Sequence, residues 1–219
     1  MSDSILALVR PDRHKLMQHA RAHISVSEYL EAELRSAVKH EYVDGEVYAM
    51  AGASRRHNLL VTNILRMVAN AALTRPPCQV FAADMKVRVQ ARNAFYYPDV
   101  SGSCDPGDRE EYFLTRPCFI VEVLSPSTAA IDRREKRLAY RTLDSLKEYV
   151  VVDQDRRRVD VYRAGAGGWR AETLSDAGTF ELSCLGLRLS LDEIYDGVEL
   201  PPEVAEPEPS YATAGDVTR

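Results

Sequence analysis

Two carboxylates stand where a carboxylate is costly. Tyr97-Pro98-Asp99-Val100 and Phe119-Ile120-Val121-Glu122-Val123-Leu124-Ser125 are short apolar runs, each holding one acid. Apolar runs bounded by turn residues read as buried strands. An ion in such a strand loses several kcal/mol of solvation, roughly, unless a partner compensates. Two such acids on neighbouring strands repel, so they raise each other's pKa or share a cation. Asp99 and Glu122 are therefore either two separately paired structural groups or the oxygen ligands of a hard divalent ion, Mg²⁺ or Mn²⁺.

A third group follows the second run. Ser125-Pro126-Ser127-Thr128 stops that strand and caps a helix over about Ala129 to Leu143. Asp132, Lys136 and Tyr140 recur at four-residue steps and so share one helix face. Taken alone, they are a surface ion pair worth under ~1 kcal/mol with a tyrosine beside it. The helix starts where the Glu122 strand ends, however, so its early turns can return over the strand and bring Lys136 to the carboxylates. Hydrolysis of a phosphodiester needs a metal, carboxylates to hold it, and a cation to offset developing charge or position the water. Asp99, Glu122 and Lys136 supply these groups if the two strands are neighbours. Pro98 leaves Asp99 at a bend or a strand edge.

The elements around this set are legible in order. Ser25-Val26-Ser27-Glu28 is a capping-box pattern, and a helix to about Leu34 should follow with Leu30 and Leu34 on one face. Asp44-Gly45 between β-prone runs predicts a type I′ hairpin that pairs Tyr42 with Val47 or Tyr48. Glu46 opens its second strand and points either at the site or at water. Ser54 caps a long helix to about Leu73, with Leu60, Ile64, Met67, Val68 and Ala71 at the helical period. Arg55, Arg56 and His57 in its first turn oppose the helix dipole. They either contact phosphate or form a solvated turn. Cys78–Ala83 and Lys86–Val89 read as strands, the latter half-exposed because it alternates basic and apolar residues. Phe95 to Ser103 reads as the strand of Asp99. A hairpin joins Lys147–Asp153 to Arg157–Arg163, and outer strands and a short closing helix at 192–195 complete the chain.

The 219 residues suit one domain with tails. Residues 1–23, with His14, His19 and His23, read as a polar arm; 24–200 as the domain; and 201–219, rich in proline and glutamate, as a disordered tail. A net charge of −5 does not advertise nucleic-acid binding, although a local basic cluster can act within an acidic chain. The four cysteines, Cys78, Cys104, Cys118 and Cys184, are far apart and form no CxxC. Buried free thiols are expected, and the spacing disfavours zinc. No signal peptide and no membrane-spanning run is visible, so a reducing cytoplasmic location is expected.

Taken together, the motifs resemble the Uma-type putative restriction endonuclease family. The matching stretches are Tyr97-Pro98-Asp99-Val100, the run Val121-Glu122-Val123-Leu124-Ser125-Pro126-Ser127-Thr128, Asp132 with Lys136 and Tyr140, and Lys147-Glu148-Tyr149-Val150-Val151-Val152-Asp153. The hairpin at Tyr42 to Glu46 and the later His57 match as well, and the likeness covers roughly residues 25–198. That family is placed in the PD-(D/E)xK nuclease superfamily. The resemblance implies an α/β, restriction-endonuclease-like fold with a mixed central β-sheet flanked by helices. It also implies Mg²⁺ or Mn²⁺ held by Asp99 and Glu122, DNA as substrate, and a homodimer. Catalysis would fall to Asp99, Glu122 and Lys136, supported by Tyr140, Asp132, Glu46 and His57. One position departs from the pattern: the superfamily's lysine two residues after the glutamate is here Leu124. Either the lysine role has moved, to Lys136 first or Lys86 second, or the chain is an inactive nuclease fold that binds nucleic acid or protein. A metal-dependent phosphoesterase acting on RNA or a small nucleotide is a further alternative.

Overall fold

The structure, a computed structural model, describes residues 23–124 and 129–202, with the backbone alone for 129–134. The expected arm up to residue 22, the helix cap over 125–128 and the tail beyond 202 lie outside the described residues.

The local signals place the first elements. Helix α1 (Val26–Glu33) starts at a full capping box between Ser25 and Glu28. Its buried residue is Tyr29, and Leu34, at its C-cap, is exposed. Strands β1 (His40–Val43) and β2 (Glu46–Ala49) form the hairpin, with Tyr42 opposite Val47. Asp44 and Gly45 both take positive φ, 47° and 87°, as a type I′ turn requires. Helix α2 (Arg55–Leu73) is capped by the Ser54 side chain, which accepts from the His57 N–H, and it buries Leu60, Ile64, Val68 and Ala72.

The rest of the chain builds two sheets. Strands β3 (Gln79–Ala82), β6 (Val100–Ser103), β8 (Phe119–Leu124), β9 (Glu148–Asp153), β10 (Arg158–Arg163) and β11 (Arg170–Ser175) form a six-stranded sheet in the order β11-β10-β9-β8-β6-β3. It is mixed: β8 and β9 run parallel, and the other pairs are antiparallel. A parallel pair needs a long crossover, and helix α3 (Ala129–Tyr140) provides it. The hairpin joins β5 (Ala94–Tyr96), β4 (Lys86–Val89) and β7 (Phe113–Leu114) in a five-stranded sheet ordered β2-β1-β5-β4-β7. Strands β12 (Thr179–Leu182) and β13 (Leu187–Ser190) pair with each other, and α4 (Leu191–Ile194) closes the described chain.

Strand β8 is buried along its whole length, and alternation divides its side chains between two cores. Phe119, Val121 and Val123 face Leu60, Ile64 and Val68 of α2. Ile120 and Leu124 pack with Ala139 and Tyr140 of α3. The six-stranded sheet thus carries a helix on each face. Gly102 permits the close approach of β6 to β8, since a Cβ there would meet the Phe119 ring at 2.3 Å.

Three expectations are corrected. The strand expected over 95–103 is two strands in two different sheets, because Tyr97-Pro98-Asp99 crosses between them. Pro98, lacking an N–H, suits a crossing where no ladder continues. Lys86, expected on a half-exposed strand, is only 5% exposed. The cysteines are not free thiols: Cys78 is bonded to Cys104 and Cys118 to Cys184, and no free cysteine remains.

Candidate active site

Strands β6 and β8 are antiparallel neighbours, with Val100 opposite Val121, so the two acids of the sequence motif meet. Asp99 sits at the bend just before β6, and its Oδ2 accepts the Val123 N–H at 2.7 Å. Glu122 lies within β8, on the face turned to α3. Tyr140, the last residue of α3, donates its hydroxyl to Glu122 Oε1 at 2.9 Å. One turn earlier on α3, Lys136 places Nζ 3.4 Å from Glu122 Oε1. The four-residue spacing on α3 therefore aims a cation and a hydroxyl at one carboxyl oxygen. Asp132 belongs to the same helix, but its side chain lies outside the described residues.

The structure also brings in an acid to which the sequence reading gave no role. Glu41 of β1 is 8% exposed, and its Oε1 lies 2.7 Å from Lys136 Nζ. The same oxygen accepts the Tyr97 N–H at 3.3 Å. A signal existed: Glu41 is a carboxylate inside a β-prone run, the argument that singled out Asp99 and Glu122. Glu46 shares the face of Glu41 on the hairpin, since it pairs with Val43, and it accepts a hydrogen bond from the Tyr48 hydroxyl.

His57, in the first turn of α2, has Nε2 3.2 Å from Asp99 Oδ2. Burial works against its charged form, but the hydrogen bond and charge of Asp99 outweigh this, so its pKa is raised. Its Nδ1 is buried without a hydrogen-bond partner among the described residues. Arg56 beside it is engaged otherwise, with Nη2 2.8 Å from Asp155 Oδ1.

Charge balance defines what this site can do. Glu122 is pushed up to about 8, first by burial and then by the nearby charges of Asp99 and Glu41. Lys136 and the Tyr140 hydroxyl pull the other way and do not cancel the rise. Among the described residues, the acids around Glu122 outweigh the cations beside it, and its carboxyl keeps its proton near neutral pH. Its donors are carboxylate oxygens, the set that hard cations select. The donor chemistry, and the excess of acid among the described residues, both fit a divalent ion at Asp99 and Glu122.

The structure gives a physical reason for the missing lysine. Leu124 lies two residues from Glu122 on the same face, 7% exposed, packed with Ala139 and Tyr140. That position is committed to holding α3 on the sheet, and α3 returns an ammonium through Lys136. Lys86, the second candidate, has different partners: its Nζ donates to the Tyr97 hydroxyl at 3.3 Å and lies 5.2 Å from that ring's centroid.

Residues 26–192 match the Uma2 family, described as "putative restriction endonuclease". The Synechocystis protein slr1290, described as uncharacterized, is 36% identical over 177 residues, covering 80% of this chain and 93% of its own. A second Synechocystis protein, sll1609, also uncharacterized, is 34% identical over 143 residues, covering 64% and 80%. A crystal structure of a nuclease of the DUF820 group from Anabaena variabilis, itself described as putative, superposes with a TM-score of 0.66 at 18% identity, over 78% of this chain and 97% of that one. This likeness is one of fold, and the fold is the α/β, restriction-endonuclease-like one that the motifs imply.

Proposed function

Since the chain belongs to the Uma2 family, we propose that it is a divalent-metal-dependent endonuclease that hydrolyses DNA phosphodiester bonds. The observation that carries this reading is Lys136 Nζ at 3.4 Å from Glu122 Oε1, on a carboxyl whose pKa the neighbouring Asp99 and Glu41 help to raise. Asp99 and Glu122 hold Mg²⁺ or Mn²⁺. When bound there, such an ion would supply a water of lowered pKa and positive charge beside a phosphoryl oxygen.

The chain's own groups do the rest. Glu41 holds Lys136 through its 2.7 Å contact, and Lys136 orients the water or offsets charge on the phosphoryl oxygens. Tyr140 fixes the Glu122 carboxyl. His57 and the Val123 N–H fix Asp99. The buried walls of the site, Tyr96 and Tyr140 among them, exclude bulk water and strengthen these interactions. Cutting both strands of a duplex requires two such sites, and a homodimer supplies them.

Supercoiled plasmid incubated with purified protein and Mn²⁺ tests the assignment. Nicked and linear products should appear, vanish with a chelator, and vanish in Asp99→Ala and Glu122→Gln. Equal cleavage by Asp99→Ala would defeat the assignment, because a contaminant would then be responsible. Retarded but uncut DNA would leave a binding module, and cleavage of RNA alone would change the substrate class. Light scattering at the concentrations of the assay reads the dimer.

A further inference from the structure

The four cysteines are the only ones in the chain, they lie up to 106 residues apart, and they converge at one place. Cys78 immediately precedes β3, Cys104 follows β6, Cys118 precedes β8, and Cys184 lies in the turn between β12 and β13. The sulfurs of Cys104, Cys118 and Cys184 all lie within 4.8 Å of one another, and Cys78 is bonded to Cys104. Between the two disulfides, Cys104 Sγ stands 3.8 Å from Cys118 Sγ. All four thus meet at the ends of β6 and β8 opposite Asp99 and Glu122, about 13–17 Å away along the strands at ~3.3 Å per residue. The candidate active site does not use them.

We propose that Cys78, Cys104, Cys118 and Cys184, when reduced, form one tetrahedral Cys₄ site for a structural Zn²⁺. Bonds of ~2.3 Å from zinc to four sulfurs give sulfur–sulfur edges of about 3.8 Å. The Cys104–Cys118 pair already has that separation. The two bonded pairs must open from about 2 Å to about 3.8 Å. Cys78, Cys104 and Cys184 are only partly buried, which leaves room for that adjustment and a path for the ion. Four thiolates on Zn²⁺ carry a net charge of −2, and a cation stands nearby. The Arg75 guanidinium lies over Gly186, two residues from Cys184, close enough that a Cβ there would meet it at 2.3 Å. The backbone around the sulfurs is fixed too: Cys78 N–H donates to Arg75 O at 2.8 Å, and Cys118 N–H to Gly102 O at 2.7 Å.

The disulfide and zinc forms differ by four electrons. Two cellular dithiols each give two electrons and two protons to one disulfide and leave as their own disulfides. The four thiols then release four protons as they bind Zn²⁺. Disulfides are rare in reducing compartments, where the thiol form is the one available to metal. Zinc there would clip β3, β6, β8 and the β12–β13 turn together, a role separate from the hard-metal centre at the other end of the strands.

The test uses the full chain, reduced with a phosphine under anaerobic conditions and loaded with Zn²⁺ or Co²⁺. One zinc per chain is expected, together with thiolate-to-cobalt charge-transfer absorption in the cobalt form. The four thiols should resist a thiol reagent until a chelator is added. Glu122→Gln should keep both signals, which separates this site from the carboxylate centre, whereas Cys118→Ser should bind zinc at least ~10-fold more weakly. Should Cys118→Ser fail to fold, Cys78→Ser at the sheet edge and the thiol-protection assay on the unsubstituted chain decide the matter. Four freely reactive thiols in the presence of zinc, disulfides that survive reduction of the native protein, or zinc lost with Glu122→Gln instead would each overturn the proposal.

Discussion

Glu33 and Glu122 each have an enclosed carboxyl that accepts a tyrosine hydroxyl, and each has a lysine in its network, yet the charges around them differ. Glu33 takes the His40 N–H at 2.8 Å and the Tyr97 hydroxyl at 2.9 Å, and its other oxygen lies 2.9 Å from His40 Nδ1. Lys86 reaches that group through Tyr97. Glu122 instead shares its surroundings with Asp99 and Glu41, and Lys136 lies between it and Glu41. The first group joins α1, β1, β4 and the crossing segment, with each oxygen partnered. The second holds a surplus of acid. Tyr97 joins them, giving its hydroxyl to Glu33 and its N–H to Glu41. The same residue types make a structural knot when charge closes and a candidate metal centre when it does not.

The two lysines sharpen this contrast most. Lys136→Met should lower Mn²⁺-dependent cleavage by ~10²–10³, while Lys86→Met should leave the rate at saturating DNA within about threefold, because its partner is Tyr97. A comparable loss in both variants would erase the distinction between the two groups.

Stability should respond in the opposite sense. Glu33→Ala leaves the His40 N–H and the Tyr97 hydroxyl without their acceptor, so urea unfolding should show a loss of ~1–3 kcal/mol. Glu122→Gln replaces a carboxyl that is protonated at neutral pH with an amide of similar shape. It should cost under ~1 kcal/mol without metal, and a larger loss there would mean that Glu122 is a structural partner first.

The pH dependence carries a definite sign. Glu122 titrates at about 8 in the fold and in the ordinary carboxylate range when unfolded. Between those values the folded state holds a proton that the unfolded state has lost, so metal-free stability should fall as pH rises through that window. Metal binding displaces the same proton, so Mn²⁺ affinity by calorimetry should climb as pH approaches 8. Flat affinity over that range would place the ion elsewhere. The smallest change is Tyr140→Phe. Its hydroxyl lowers the Glu122 pKa, so its removal should shift the pH–rate profile to higher pH with only a few-fold loss of rate, about the effect of one hydrogen bond.

Much of this arrangement was written locally. Asp99 and Glu122 stood out as acids inside apolar runs, and the spacing of Lys136 and Tyr140 placed them on one face of α3, whereas their meeting at one Glu122 oxygen appears only in the structure. The hairpin turn at Asp44-Gly45 and the caps at Ser25 and Ser54 were equally legible, because backbone preference at a turn or helix start depends on a few adjacent residues. Glu41 was harder to see. Its strand has four residues against six in β8, and only the pairing of β1 with β5 carries it to Lys136. The burial of Lys86 was hidden for the same reason, since alternation within β4 says nothing about what covers its outer face.

By itself, then, the sequence marked Asp99 and Glu122 as acids inside apolar runs and showed that the helix after β8 can return over it; that this helix is the crossover of a parallel pair came only with the β8–β9 pairing. The tertiary structure alone decided which lysine reaches Glu122, because Leu124 had to fill the seam between β8 and α3. It alone gathered Cys78, Cys104, Cys118 and Cys184, whose meeting depends on strand order across the six-stranded sheet. Short-range preferences fix the elements; contacts between residues tens of positions apart exist only once sheet order and register are set.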